Sequence, residues 1–189
     1  PKQAKIQVDN IVNTLSQASP QAKDAFTAAG KKYTDQLEDL DKWASDSMSA
    51  VPEQDRVLFS SHDAFGYFSN AYGVKFIGSA LSDFNNQQDA TSSHIDEQVK
   101  KVRESGAKAI FAENSNSSKS IEAIARAAGV KAVTSDDALY GDSLGVPGSE
   151  GETYIGSIVH NINTLVSAWD SEQQPLPESL QAFDVAKRK

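Results

Sequence analysis

The chain of 189 residues contains no cysteine, and this absence excludes disulfides, thiolate metal sites and cysteine nucleophiles. Any metal site must therefore use histidine and carboxylate side chains. Positive charge is also scarce, because 18 Lys and Arg stand against 26 Asp and Glu, which gives a formal net charge of −8. Nucleic-acid binding requires clustered basic residues, so we expect no nucleic acid among the partners.

Long hydrophobic runs are missing as well. No stretch approaches the roughly 20 apolar residues of a membrane-spanning helix, and no signal peptide is seen at Pro1. The composition, with 39% hydrophobic and 23% charged residues, is typical of a soluble globular domain. Because residues 4–15 already have helical character and no methionine precedes them, we expect the chain to be a fragment.

A long amphipathic helix is predicted over residues 20–50, because apolar residues recur there at alternating spacings of three and four. They are Ala22, Phe26, Ala29, Tyr33, Leu37, Leu40, Ala44 and Met48. Such a helix would be about 45 Å long. This is more than one small domain needs, so we expect the helix to span a larger molecule.

From Arg56 onward, short apolar runs alternate with segments of helical spacing. The predicted strands are 57–60, 75–81, 108–112 and 131–134, and the predicted helices between them are 64–72, 93–104 and 119–128. This alternation predicts an α/β fold with a four-stranded, mainly parallel sheet flanked by helices. Ligands of such folds bind beyond the carboxyl ends of the strands, so the loops after the strands are where we look for a site.

Two of these loops carry metal-binding side chains. His62 follows the first predicted strand, and Asp142 lies in the glycine-rich loop 135–151 after the fourth. An imidazole and a carboxylate could together form half of a metal site. Each also has a structural interpretation, His62 as a helix cap and Asp142 as a turn residue, while Asp136 and Asp137 are rivals of Asp142 in the same loop.

Glu113 follows the third predicted strand and should point toward the same edge of the sheet. A carboxylate there could accept a hydrogen bond from a metal-bound imidazole, which fixes the tautomer of the ring. An ion pair with Arg126, or a helix cap, would explain Glu113 equally well.

Three segments in this order carry a resemblance to a known family: SSHDAFGYFSNAYGV, IFAENSNSSKSIEAIARAAGV and DALYGDSLG. They resemble the carboxy-terminal lobe of the solute-binding proteins that hand zinc or manganese to ABC importers. The preceding segment, AKIQVDNIVNTLSQASPQAKDAFTAAGKKYTDQLEDLDKW, is similar to the interlobe region of the same family, which ends in a long backbone helix. The resemblance extends over residues 3–170.

The resemblance implies a metal site shared by two lobes, with two histidines from the first lobe and a His or Glu plus an Asp from the second. His62 and Asp142 match the second pair. The first pair would precede Pro1, and His94 and His160 match no ligand motif. The metal, Zn²⁺ or Mn²⁺, would be cargo.

The implied layout is an end of the first lobe at 1–18, the backbone helix at 19–51, the carboxy-terminal lobe at 52–170 and a flexible tail at 171–189. The implied function is that of an extracytoplasmic binding protein, periplasmic or lipid-anchored, without enzymatic activity. Its partners would be the divalent metal ion, the subunits of an ABC permease and the missing N-terminal lobe in cis.

Two other functions stay open at this stage. The tetrapeptide Gly141-Asp142-Ser143-Leu144 spells the signature of GDSL hydrolases, with Ser143 as nucleophile and a histidine as base. However, that family has its signature after the first strand, whereas here it comes late in the chain. An adhesive surface domain without a working metal site is the third possibility.

Overall fold

A computed structural model describes residues 1–81 and 92–184, and of residues 92–94 the backbone alone. The helices are α1 (Lys2–Ala18), α2 (Lys23–Ala50), α3 (Gly66–Tyr72), α4 (Ser92–Ser105), α5 (Lys119–Ala128) and α6 (Tyr154–Ala168). The strands are β1 (Val57–Ser60), β2 (Lys75–Ser79), β3 (Ala109–Phe111) and β4 (Lys131–Val133). Short 3-10 helices lie at Pro20–Ala22, Glu53–Asp55, Ser135–Asp137 and Glu178–Phe183. The predicted α/β class is confirmed.

The strands form parallel pairs, β1 with β2 and β3 with β4. The sequence predicted one four-stranded sheet, but in the described ranges no main-chain ladder joins β1 to the adjacent β3. Side chains bridge this seam just beyond the strands. The Glu113 N–H donates to Ser61 Oγ at 3.2 Å, and the His62 N–H donates to Glu113 Oε1 at 2.9 Å. Hydrogen bonds to the side chains of Ser61 and Glu113 therefore connect the ends of β1 and β3.

The core lies on both faces of the strands, because successive strand residues point to opposite sides. Leu58 and Phe111 pack toward α2 and α6. Phe59 and Ile110 pack toward α4 and α5. Burial on both faces explains why β3 and the first three residues of β1 are uninterrupted apolar runs, and it leaves the ends of these strands and the loops after them to carry polar groups.

Helix α2 is the long backbone helix that the sequence predicted. Its 28 residues give a length of about 42 Å, and the chain leaves it at Val51, just before Pro52. Leu40 and Trp43 are among the residues that bury its inner face in the core. None of the helices in the described part of the chain is long and apolar enough to cross a membrane.

The segment after α6 differs from the expected flexible tail. It runs back to α2 and ends in the 3-10 helix Glu178–Phe183, in which Leu180 is fully buried. The indole N–H of Trp43 donates to Gln174 O at 3.2 Å. Leu176, Leu180 and Phe183 contact the core, but they stand in a polar stretch with two prolines, and this composition led the sequence analysis to expect a mobile tail. The end of the predicted tail, 185–189, lies outside the described residues.

Candidate metal site

The ends of two strands and one loop bring the predicted site residues together. His62 follows β1 and Glu113 follows β3. The loop after β4 returns to β3, where the Leu139 N–H donates to Ala112 O and the Asn114 N–H donates to Leu139 O, both at 2.9 Å. This pairing places Asp142 beside His62.

His62 is buried between two carboxylates. Its Nε2 is 2.6 Å from Asp142 Oδ2, and its Nδ1 is 2.7 Å from Glu113 Oε2. The histidine side chain is only 8% exposed, whereas that of Asp142 is 43% exposed. The buried Glu113 carboxylate therefore lies on the Nδ1 side of the imidazole, and the Nε2 side faces the partly exposed Asp142.

Glu113 is the buried support of this histidine. Oε1 accepts the His62 main-chain N–H, and Oε2 lies at ion-pair distance from Nδ1 without completing a well-aligned hydrogen bond. The close distance still sets the electrostatic attraction, which depends mainly on separation. Burial raises the pKa of Glu113 above its usual value, while the hydrogen bond from His62 N–H and the nearby imidazole pull it back.

Nδ1 of His62 also meets Asn116, whose Nδ2 lies 3.1 Å away. Nδ1 can accept from this amide when it is unprotonated, and it can donate to Glu113 when it carries the proton. The first arrangement leaves Nε2 as an N–H facing Asp142, and the second leaves Nε2 with a lone pair. The contacts at Nδ1 are therefore compatible with both tautomers: one that carries its proton on Nε2, and one whose Nε2 lone pair is available to bind a metal ion.

Asp142 takes its position from the main chain before it. A Cβ on Gly141 would collide with Glu113 Oε2 and touch the Ala64 side chain, so glycine allows the loop to approach the buried carboxylate. On the other side of Asp142, Asn114 Nδ2 donates to Ser143 Oγ at 2.9 Å. Asp142 is thus held between two anchored neighbours.

The pair His62 and Asp142 offers one imidazole nitrogen and one carboxylate oxygen, both of which are ligands for Zn²⁺ and tolerated by Mn²⁺. In the described ranges, no group of three or more His, Cys, Asp or Glu side chains is arranged to hold a metal ion. At most, therefore, His62 and Asp142 could supply part of a coordination sphere.

The other candidates of the sequence analysis lie elsewhere. Asp136 and Asp137 belong to the 3-10 helix that precedes Leu139, and the contact with His62 is made by Asp142. His160 is buried on α6, with its Nδ1 2.8 Å from Glu150 Oε2 and its Nε2 3.0 Å from Ala138 O. His94 lies on the backbone of α4, and its side chain is outside the described part.

The serine of the hydrolase signature has a different neighbour from the one that catalysis needs. Ser143 Oγ accepts from the Asn114 amide, while His160 bonds to Glu150 and Ala138 and His62 faces Asp142. Among these contacts there is no Ser–His pair of the kind that activates a nucleophile.

Sequence reasoning missed Asn116, Asn114 and Ser61, which hold the ring, the loop and the strand seam. A signal was available for two of them, because Glu-Asn-Ser-Asn at 113–116 places several polar side chains directly after β3. Which of these contacts His62 and which contacts the loop depends on the turn that follows the strand.

Comparison with known proteins gives a consistent result. The family model ZnuA, zinc-uptake complex component A, periplasmic, matches residues 1–168. The manganese-binding lipoprotein MntA of Bacillus subtilis is 40% identical over 163 residues, which cover 85% of this chain and 53% of that protein. The manganese ABC transporter substrate-binding lipoprotein PsaA of Streptococcus mitis is 27% identical over 156 residues, 82% of this chain and 49% of that protein.

The fold is shared with a solved structure, that of the periplasmic zinc-binding protein TroA from Treponema pallidum. The TM-score is 0.79 at 30% sequence identity, and the match covers 90% of this chain and 61% of that one. The chain spans about half the length of the curated relatives that it matches. The chain therefore belongs to the family of zinc-uptake complex component A, ZnuA.

Proposed function

We propose that this chain is the carboxy-terminal half of an extracytoplasmic solute-binding protein that captures Zn²⁺ or Mn²⁺ for an ABC importer. In this proposal His62 and Asp142 are metal ligands. The observation that carries it is the contact of His62 Nε2 with Asp142 Oδ2, 2.6 Å apart at the carboxyl ends of the strands. Structural histidines also contact carboxylates, but this one presents Nε2 at an accessible edge and is backed by the buried Glu113.

Metal capture at this pair exchanges a proton for a metal ion. A hydrogen bond between Nε2 and Oδ2 needs a proton, and a ligating Nε2 cannot carry one, so in a neutral ring this proton moves to Nδ1 when the metal binds. Two tetrahedral zinc ligands lie about 3.3 Å apart. Because the Asp142 side chain is partly exposed, it can retreat by the difference while the buried imidazole keeps its place.

Glu113 prepares the imidazole for this exchange. When Nε2 binds a metal, the ring proton must lie on Nδ1, and Glu113 Oε2, 2.7 Å away, is the carboxylate oxygen within its reach. A carboxylate in this position raises the basicity of the ligating nitrogen and fixes the ring orientation.

The remaining ligands, the cargo and the partners are inferred from the relatives. MntA and PsaA are named for manganese and TroA for zinc, so the cargo is one of these two ions. We infer that an N-terminal lobe in cis supplies the other ligands, and that permease subunits receive the metal. The names lipoprotein and periplasmic support a place outside the cytoplasmic membrane. The names manganese-binding and substrate-binding support capture without catalysis.

Zinc titration of this chain tests the proposal. If a complete zinc site is worth about 10 to 16 kcal/mol, two of four ligands retain roughly half, which corresponds to about micromolar to submillimolar affinity. His62→Ala and Asp142→Ala should each weaken binding at least about tenfold, equivalent to about 1.4 kcal/mol. The matched control is Asp63→Ala, an exposed carboxylate next to His62, which should leave the affinity unchanged.

An unchanged affinity in either ligand variant would remove that residue from the site. A one-to-one affinity in the nanomolar range for a proven monomer would mean that the chain holds a complete site elsewhere. Hydrolysis of simple esters that depends on Ser143 would instead favour the enzyme, and a complete protein purified without stoichiometric metal would favour an adhesive domain.

A further inference from the structure

Two consecutive residues of α6, His160 and Asn161, hold the loop that carries Asp142. Both are buried, with 5% and 1% of their surface exposed, and neither has a role in the metal site described above. Most of their polar contacts are to one neighbour, the loop after β4, although His160 Nε2 also lies 3.4 Å from Thr164 Oγ1 on α6.

Asn161 binds both main-chain groups of one loop residue. The Tyr140 N–H donates to Asn161 Oδ1, and Asn161 Nδ2 donates to Tyr140 O, each at 2.8 Å. A side-chain amide that closes such a pair leaves the peptide groups on either side of Tyr140 little freedom. Asp142 is the second residue after this clamp.

His160 holds the loop at two further places. Its Nε2 is 3.0 Å from Ala138 O, and its Nδ1 is 2.8 Å from Glu150 Oε2. Its ring also packs edge-on against Tyr140, with ring centroids 4.9 Å apart. The two α6 residues therefore fasten the loop before and after Asp142.

The helix that presents them is rigidly placed. Ile155, Ile162 and Leu165 of α6 are fully buried in the core, so the positions of His160 and Asn161 are set by packing that does not involve the site. By contrast, Asp142 is partly exposed, and its carboxylate depends on its main chain for its position.

We propose that Asn161, assisted by His160, is a positioning residue: it holds the carboxylate of Asp142 where it can coordinate a metal ion bound to His62 Nε2. The inference rests on the proposed function, because it concerns how Asp142 is presented to the metal. An asparagine that only satisfied the peptide groups of the loop would stabilise the fold, and its effect would be the same with and without the Asp142 carboxylate. The two roles therefore make different predictions.

The test is a double-mutant cycle on the full chain, with NMR titration of Zn²⁺ to follow weak binding at the His62 ring. Asn161→Ala should weaken zinc binding about tenfold, the lower end of what loss of a supporting hydrogen bond costs a metal site. In the Asp142→Ala background the same change should alter the affinity less than twofold. Asn163→Ala, an asparagine of the same helix, is the matched control and should have no effect in either background.

Each other outcome is decisive. If Asn161→Ala weakens binding equally in both backgrounds, or in neither, Asn161 does not act through Asp142 and the inference is wrong. If Asp142→Ala itself leaves the affinity unchanged, the proposed function fails and takes the inference with it. Should Asn161→Ala not fold, Asn161→Asp, which keeps the acceptor for Tyr140 N–H but loses the donor to Tyr140 O, must show the same dependence on Asp142.

Discussion

Replacing Glu113 by glutamine should weaken metal binding without weakening the fold. Glutamine has the shape of glutamate and can still accept the His62 main-chain N–H through Oε1, the bond that measures 2.9 Å. Its other terminal atom is an amide nitrogen, which would then face His62 Nδ1 beside the amide of Asn116. With donors on both sides, Nδ1 keeps its lone pair and the ring proton moves to Nε2.

The size of the effect follows from this change of tautomer. A ring protonated at Nε2 cannot ligate there, so metal binding must first move the proton to Nδ1, where Glu113→Gln leaves no acceptor. Removing such a partner of a metal-bound histidine costs about 10- to 100-fold in affinity, or about 1.4 to 2.7 kcal/mol. The stability of the metal-free protein should be unchanged or higher, because glutamine has no charge to bury and burying an ionised carboxylate is unfavourable.

Calorimetric titration with Zn²⁺ and thermal unfolding of the metal-free chain together check this prediction. Glu122→Gln is the matched control, because Glu122 is exposed on α5 and bonds to Ser118. It should change neither quantity. An affinity within twofold of the wild type would refute the role of Glu113 in fixing the tautomer. A large drop in melting temperature would show that Glu113 acts mainly by joining β1 to β3.

Two further substitutions test packing by chemical denaturation, one in the segment after α6 and one at the site. Leu180→Ala should destabilise the chain by about 2 to 5 kcal/mol, because Leu180 is fully buried and the truncation leaves a cavity. Its control is Leu144→Ala, at a half-exposed position, which should cost less than about 0.5 kcal/mol. Equal values would mean that residues 171–184 are the flexible tail that the sequence suggested. Gly141→Ala should lower the stability by about 1 to 3 kcal/mol and also weaken zinc binding, because its Cβ would collide with Glu113 Oε2. Its control is Gly66→Ala, with open space around it, which should leave the stability and the zinc affinity as they are.

The sequence by itself determined the elements of the fold. The spacing of apolar residues along α2 and the short apolar strand segments reflect local preferences and burial. Both patterns can be recognised from the order of the residues alone. The observed strands begin within a residue of the predicted ones, and α2 lies within the predicted range 20–50. Because ligands of such folds bind beyond the carboxyl ends of the strands, the same pattern also pointed to His62 and Glu113 as candidates.

Only the tertiary structure decided how these residues meet. Asp142 and its rivals Asp136 and Asp137 lie in one loop, and which carboxylate reaches His62 depends on the pairing of Leu139 with the end of β3. The attachment of that loop to Asn161, and the burial of Leu180 against α2, join residues far apart in the chain. Such contacts leave no periodic signal, because they depend on the distances between packed elements rather than on the order of residues within any one of them.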